Sequence, residues 1–177
     1  MIRLKTLLAE ISLNALQPYA TQFTWESAGR QSSEVYEARF DADDVEIVMT
    51  MLNGGHNEWY FAFLMPTVSS RYGTMGSGRT TSHARSEAPG QLNYLRIIRT
   101  VGEAIMDFCN AYSPEAVNIS GADSDPEKRS QKTRLYAAFV QDNAAKLHAA
   151  GYTSMQRDNE LWLVRRSAAD ATGIKDK

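Results

Sequence analysis

The feature that most limits the fold is one long helix with a strand on either side of it. Tyr94, Ile98, Val101, Ile105, Phe108 and Tyr112 recur at steps of three and four, so they form one apolar stripe. Arg96, Arg99, Glu103 and Asp107 fall largely off it. Pro89-Gly90 marks the entry to this helix and Pro114 its stop. After it, Ala116–Ser120 (AVNIS) reads as a short buried strand. Before it, Glu58–Met65 is apolar on both faces, with Trp59, Phe61 and Phe63 set against Tyr60, Ala62 and Leu64. A strand of that kind is expected at the centre of a sheet, covered by helices. A strand–helix–strand path favours parallel pairing of its two strands.

The remaining segments fit around that unit. Ile2 to about Leu13 reads as a short amphipathic helix ended by Pro18, and Gln22–Glu26 as a brief strand. Ser27–Ser33 is a polar loop. Glu34–Phe40 and Val45–Leu52 alternate with a period of two, on either side of an acidic turn at Asp41–Asp44. Asn53-Gly54-Gly55 is a hairpin signal, because these residues tolerate positive φ. Asp125-Pro126 fits a helix start, and that helix should run to about Ala150 with Tyr136, Phe139, Val140, Ala144 and Leu147 inward. Gly151 suits its C-terminal cap. Tyr152–Gln156 and Leu161–Arg165 read as a closing hairpin.

The expected fold is therefore α/β (α+β), one domain over residues 1–166. It has a mixed, mostly antiparallel sheet: a meander, then helix-strand-helix-strand, in three layers. Residues 167–177 form a flexible polar tail. A chain of 177 residues suffices for one sizeable core. A formal net charge of −2 argues against bulk attraction to nucleic acid. A single cysteine, Cys109, cannot form an internal disulfide, and three histidines without a cysteine cluster disfavour a zinc site. Lys5, Glu10 and Ser12 interrupt the apolar start, so neither a signal segment nor a membrane span is expected, and a cytoplasmic location is.

The stretch from Arg71 to Gly90 carries the chemical interest. Gly73, Gly76, Gly78, Arg71, Arg79 and Arg85 precede the long helix. The first-turn N–H groups of a helix lack intrahelical partners, and the helix dipole adds partial positive charge there. Glycines and arginines beside such an end can hold a phosphate. They suit a solvated loop of turns equally well.

The order of elements resembles the core of GNAT-superfamily N-acetyltransferases, and DNAAKLHAAGY resembles that family's later motif through Asn143, Ala144, Leu147, Gly151 and Tyr152. The ensemble is also similar to GNAT-like proteins of bacteriophages, with Arg134, Leu135 and Tyr136 before Gly151-Tyr152. This resemblance implies acetyl-CoA as acyl donor, held in a gap of the sheet, with Gly76, Gly78, Arg79 and Asn143 in cofactor binding. It implies an N-acyltransferase of unspecified acceptor. Tyr136 or His148 would protonate the departing thiolate, and Glu58 or Glu37 would orient a base water. Each has a plainer reading. Tyr136 lies on an inward stripe, His148 suits a helix end, and Glu37 suits a solvated strand face. The competing expectation is a binding protein without catalysis. In it the Arg-rich loop 71–90, extended by Arg96 and Arg99, contacts nucleic acid or a host protein.

Overall fold

The computed structural model describes residues 13–28, 34–43, 45–64, 91–120, 126–157 and 160–167. Strands β1 (Glu26–Ser27), β2 (Val35–Ala42), β3 (Val45–Gly55) and β4 (Glu58–Leu64) come first. Helix α1 (Gln91–Tyr112), β5 (Ala116–Asn118), helices α2 (Pro126–Asp142) and α3 (Ala144–Ala149), and the hairpin β6 (Tyr152–Arg157) and β7 (Glu160–Arg165) follow. The seven strands form one sheet in the order β1-β2-β3-β4-β5-β7-β6. Among the described residues only β4 and β5 pair in parallel, as their connection through α1 requires.

The alternation seen in the sequence becomes the two faces of the meander. Tyr36, Ala38 and Phe40 of β2 pair with Met51, Met49 and Ile47 of β3, and Met49 and Met51 pair with Phe63 and Phe61 of β4. These side chains point to the helices, and most are fully buried. The second hairpin turns two residues later than Asn53-Gly54-Gly55 suggests. His56 and Asn57 supply the turn, at φ of 52° and 58°. A register shift between Asn53 and Gly55 extends β3 by that amount. The Oδ1 of Asn53 accepts the N–H of Gly55 at 2.8 Å, and Gly54 has no Cβ where the ring of Tyr60 lies.

Helix α1 is buried nearly all round in its middle. The predicted stripe faces the sheet: Ile98, Val101, Ile105 and Phe108 are buried, and Tyr94 and Tyr112 partly so. Its other sides also bury Leu95, Ile97, Thr100, Ala104 and Cys109, because α2 and the 3-10 turn Leu13–Ala15 pack against the same helix layer. The absence of a side chain at Gly102 lets the ring of Phe139 lie directly on α1. Phe108 packs on Trp59 while Tyr136 packs on Phe61, so α1 and α2 share one face of β4. Among the described residues the architecture is thus two layers rather than three. β4 is central as expected, but on its outer face Tyr60 and Leu64 stay 42% and 68% exposed.

Two chain ends are set by single residues. Ser113, at φ of 52°, closes α1 before Pro114, its N–H reaching the carbonyl of Cys109 at 3.0 Å. Gly151, at φ of 86°, closes α3, as its position predicts. The long helix expected to reach Ala150 is interrupted at Asn143. That side chain is buried and donates to the carbonyl of Phe139 at 2.9 Å, which also accepts the Asn143 backbone N–H at 3.0 Å. No helix among the described residues is long and apolar enough to cross a membrane.

Candidate functional site

Among the described residues the parallel junction of the sheet is short, as is the β5–β7 ladder beside it. β5 pairs with β4 at three positions only: Ala116 with Glu58, Val117 with Trp59, and Asn118 with Tyr60. β4 then continues to Leu64 with β3 on its other side, while β5 stays with β7 through Asn118–Trp162. The N–H of Ile119 bonds to the carbonyl of Leu161 at 2.9 Å, which draws the end of β5 toward β7. Among the described residues the β4–β5 ladder therefore ends at Tyr60 and Asn118, and β4 runs on past it to Leu64. Helix α1 begins at that same end, with Asn93 donating to Asp43 in the β2–β3 turn at 3.2 Å.

On the helix side of this ladder end stands Tyr136. Its ring meets Phe61 and Phe63 edge-on at 6.3 and 6.4 Å. It is only 2% exposed. Burial, and secondarily the neighbouring Tyr94, push the phenol's pKa well above its ordinary value. Tyr136 is thus a packed core ring, as the plainer reading has it, and it also lies against the part of β4 that runs on past the ladder.

On the outer face lies a shallow cleft of about 160 Å³, lined by Glu58, Tyr60, Arg157, Glu160 and Trp162. The rings of Tyr60 and Trp162 meet edge-on at 5.5 Å and 75°. The Arg157 guanidinium sits 5.8 Å from the Trp162 ring centroid and 3.6 Å from the Glu58 carboxylate. Asn118 is buried and donates to the Glu160 carboxylate, while its Oδ1 accepts the N–H of Ser120 at 2.9 Å. The hydroxyl of Ser120 in turn accepts the N–H of Leu161 at 2.6 Å. This chain of bonds fixes one carboxylate of the cleft from the end of the β4–β5 ladder.

The structure scatters the residues singled out from the sequence. Glu58 lies on the outer face, beside the junction. Tyr136 lies on the inner face, beyond it. His148 is exposed on α3 and does not join them. That helix passes through Gly151 into Tyr152, whose hydroxyl donates to the carbonyl of Pro114 at 2.8 Å, where α1 has ended and β5 is about to begin. Asn143 serves as the joint between α2 and α3, with its Oδ1 buried and unpartnered. Glu37 lies on the outer strand face and pairs with Arg39 at 3.3 Å. Gly76, Gly78 and Arg79, with the rest of loop 71–90, lie outside the described residues, as does nearly all of the first predicted helix.

The basic side expected on α1 is not free. Arg96 donates to the carbonyl of Gln17 at 3.1 Å and stacks 3.9 Å over the ring of Tyr19. Arg99 is buried and paired with Glu103 one turn on. Extension of a nucleic-acid surface onto the helix is therefore not supported by these two residues.

The sequence reading missed Tyr60, Asn118, Arg157, Glu160 and Trp162 as a group. That Tyr60 lies opposite Trp59 and Phe61 was legible from strand alternation; which side of the sheet Tyr60 and Trp162 face was not. Their adjacency was not, because it depends on β7, not β6, lying beside β5. No protein-family model, no curated protein and no solved structure matches the chain.

Proposed function

We propose that this protein is a GNAT-like acyltransferase that moves an acyl group from acyl-coenzyme A to an amine. The observation that carries this reading is the end of the β4–β5 ladder at Tyr60 and Asn118, with Tyr136 packed against Phe61 and Phe63 just beyond it. In this reading an extended amide-containing chain such as a pantetheine arm runs beside β4 where its ladder with β5 ends. The coenzyme supplies an activated thioester. Backbone N–H groups of β4 polarise its carbonyl. In this reading the phenol of Tyr136, beside Phe61 and Phe63, is the acid toward the departing thiolate. Glu58 stands on the opposite face, where an incoming amine meets a base. Gly76, Gly78 and Arg79, ahead of α1, hold the pyrophosphate in this reading.

Acetyl-coenzyme A at about a hundred times its dissociation constant would stabilise the native state by about 2.7 kcal/mol. For a chain of this size that raises Tm by about 5–10 °C. Tyr136→Phe keeps most of the packing, so the shift should persist while turnover on an amine panel falls. Gly78→Val with Arg79→Ala should abolish the shift without unfolding the chain. Absence of any shift with millimolar acetyl-coenzyme A would remove the reading.

A further inference from the structure

The outer-face cleft has a composition that its own chain only partly satisfies. Glu58 and Glu160 bring two carboxylates, and Arg157 brings one guanidinium, so one negative charge is left over. Two aromatic rings set nearly perpendicular form its floor. Trp162, which lines it, is 4% exposed, so it meets the cleft through the edge of its ring. Aromatic faces beside carboxylates are the surroundings that attract an organic cation.

Arg157 is the cation now there, and it is loosely held. At 3.6 Å its Nη1 is beyond hydrogen-bonding reach of Glu58, and its side chain is 58% exposed. It lies on the last pair of the β6–β7 hairpin, directly opposite Glu160. An ion pair of this kind contributes little and yields readily to a better-fitting partner. The Glu160 carboxylate, by contrast, is anchored through Asn118, Ser120 and the backbone of Leu161. The anchored group is the Glu160 carboxylate, and the solvent-exposed one is the Arg157 guanidinium.

We infer that the cleft of Glu58, Tyr60, Glu160 and Trp162 is a binding site for a small primary ammonium group, and that Arg157 is the internal stand-in which such a ligand displaces. The site takes an alkylammonium group, free or borne on a side chain. A neutral alcohol of the same shape lacks the charge that the carboxylates and rings select, and a carboxylate is repelled. The cleft lies at the end of the β4–β5 ladder, since Tyr60 and Asn118 form its last pair. That position makes the bound amine the acceptor of the acyl group. Only the acceptor role rests on the acyl-transfer reading; the binding does not.

The test is a titration of the full-length, isotope-labelled chain with n-butylammonium, 1-butanol and butyrate, following the Trp162 indole N–H resonance by NMR. Trp162→Phe identifies that resonance. Butylammonium should move it saturably, and the other two should not. Arg157→Ala should bind butylammonium about threefold or more tightly, because the competitor is gone. Glu160→Gln should bind about tenfold or more weakly, as expected for loss of a charged partner. A surface pair of purely structural role gives the reverse result for Arg157→Ala, or none. An equal response to 1-butanol, unchanged or weaker binding by Arg157→Ala, or no response in either chain overturns the proposal. The acetyl-coenzyme A thermal shift is a separate readout. Amine binding without that shift keeps the cation site and removes the transfer reading, and the shift without amine binding does the opposite.

Discussion

The two faces of the sheet are built from the same strands and differ in almost every physical respect. Met49, Met51, Trp59 and Phe61 face the helices and are 3% exposed or less. Their immediate neighbours Leu52, Tyr60 and Leu64 face outward and lie between 41% and 68% exposed. Along β3 and β4 a shift of one residue moves a side chain from one regime to the other, whereas on β5 and β7 the outward Ala116, Asn118, Trp162 and Val164 are buried as well. The inner face is closed by aromatic packing: Phe108 touches the rings of Trp25, Tyr36, Trp59 and Tyr112. The outer face carries an apolar row, Val35–Leu52–Tyr60 and then Trp162–Met155, with buried Asn118 between its halves. Stability is concentrated on one side. The polar and aromatic groups available to a ligand are concentrated on the other.

The largest test of that contrast is truncation on the two sides. Phe108→Ala should cost about 3–5 kcal/mol in urea unfolding, the range for removing a large buried ring. Tyr60→Ala should cost about 1 kcal/mol or less, because its ring is already half in water. Comparable losses from the two would mean that the outer face is closed as firmly as the inner one.

The second effect is a loss of stability in alkali, and it belongs to the inner side alone. Burial pushes the Cys109 thiol from an ordinary value near 9 up to about 12. Burial likewise raises Tyr136 and Tyr152. In each case the folded value lies above the unfolded one. The unfolded chain therefore releases protons first as pH rises, and stability falls. Cys109 alone should leave stability untouched below pH 9. Through the window from 9 to 12 it should lower it with a limiting slope of about 1.4 kcal/mol per pH unit, or about 2 kcal/mol by pH 10.5. Cys109→Ala should flatten the profile in that window relative to the parent chain. An unchanged profile would show that the thiol is not held as the packing indicates.

Much of the inner layer was legible in the sequence because it follows from periodicity. The α1 stripe, the β2–β3 meander and the Gly151 cap are properties of local spacing, and each is found where spacing puts it. What was hidden depends on contacts between distant segments. The place of β7 between β5 and β6 sets Trp162 beside Asn118, and no local pattern encodes it. The turn at His56-Asn57 displaces the expected Asn-Gly-Gly turn because a bulge and the ring of Tyr60 decide the register. The break at Asn143 depends on one buried amide bonding back to Phe139. The bare outer face was hidden for a similar reason. β4 is apolar on both sides, and only the joint packing of α1 and α2 reveals which side is covered. The candidate site suffered most, since it is made by the two least local features, the end of the β4–β5 ladder and the β5–β7 pairing.

Gly102 sharpens the inner-side picture further. In an exposed helix, Gly→Ala gains about 1 kcal/mol. Here a Cβ would meet the ring of Phe139, which belongs to α2 and cannot withdraw without opening the layer. Overpacking of this kind costs about 1–3 kcal/mol, so Gly102→Ala should lower stability by up to about 2 kcal/mol once the propensity gain is subtracted. Gly102→Ala combined with Phe139→Leu should recover part of that loss, which a purely local backbone effect would not allow.

The smallest expected effect returns to the outer face. Arg39 reaches Glu37 at 3.3 Å and Glu46 at 3.4 Å, across the β2–β3 ladder, with the arginine side chain 55% exposed. Water competes for all three groups, and holding a long side chain in one geometry opposes the attraction. Arg39→Ala should therefore change stability by about 0.5 kcal/mol or less, and the difference should vanish at 1 M salt, where screening acts over about 3 Å. The buried pair of Arg99 with Glu103 is the inner-side counterpart. Glu103→Gln leaves a guanidinium that already has Nε and Nη1 without partners inside the helix layer, and its cost should persist in salt. If both substitutions responded to salt alike, the division into a dry inner side and a wet outer side would not hold for charge as it does for apolar packing.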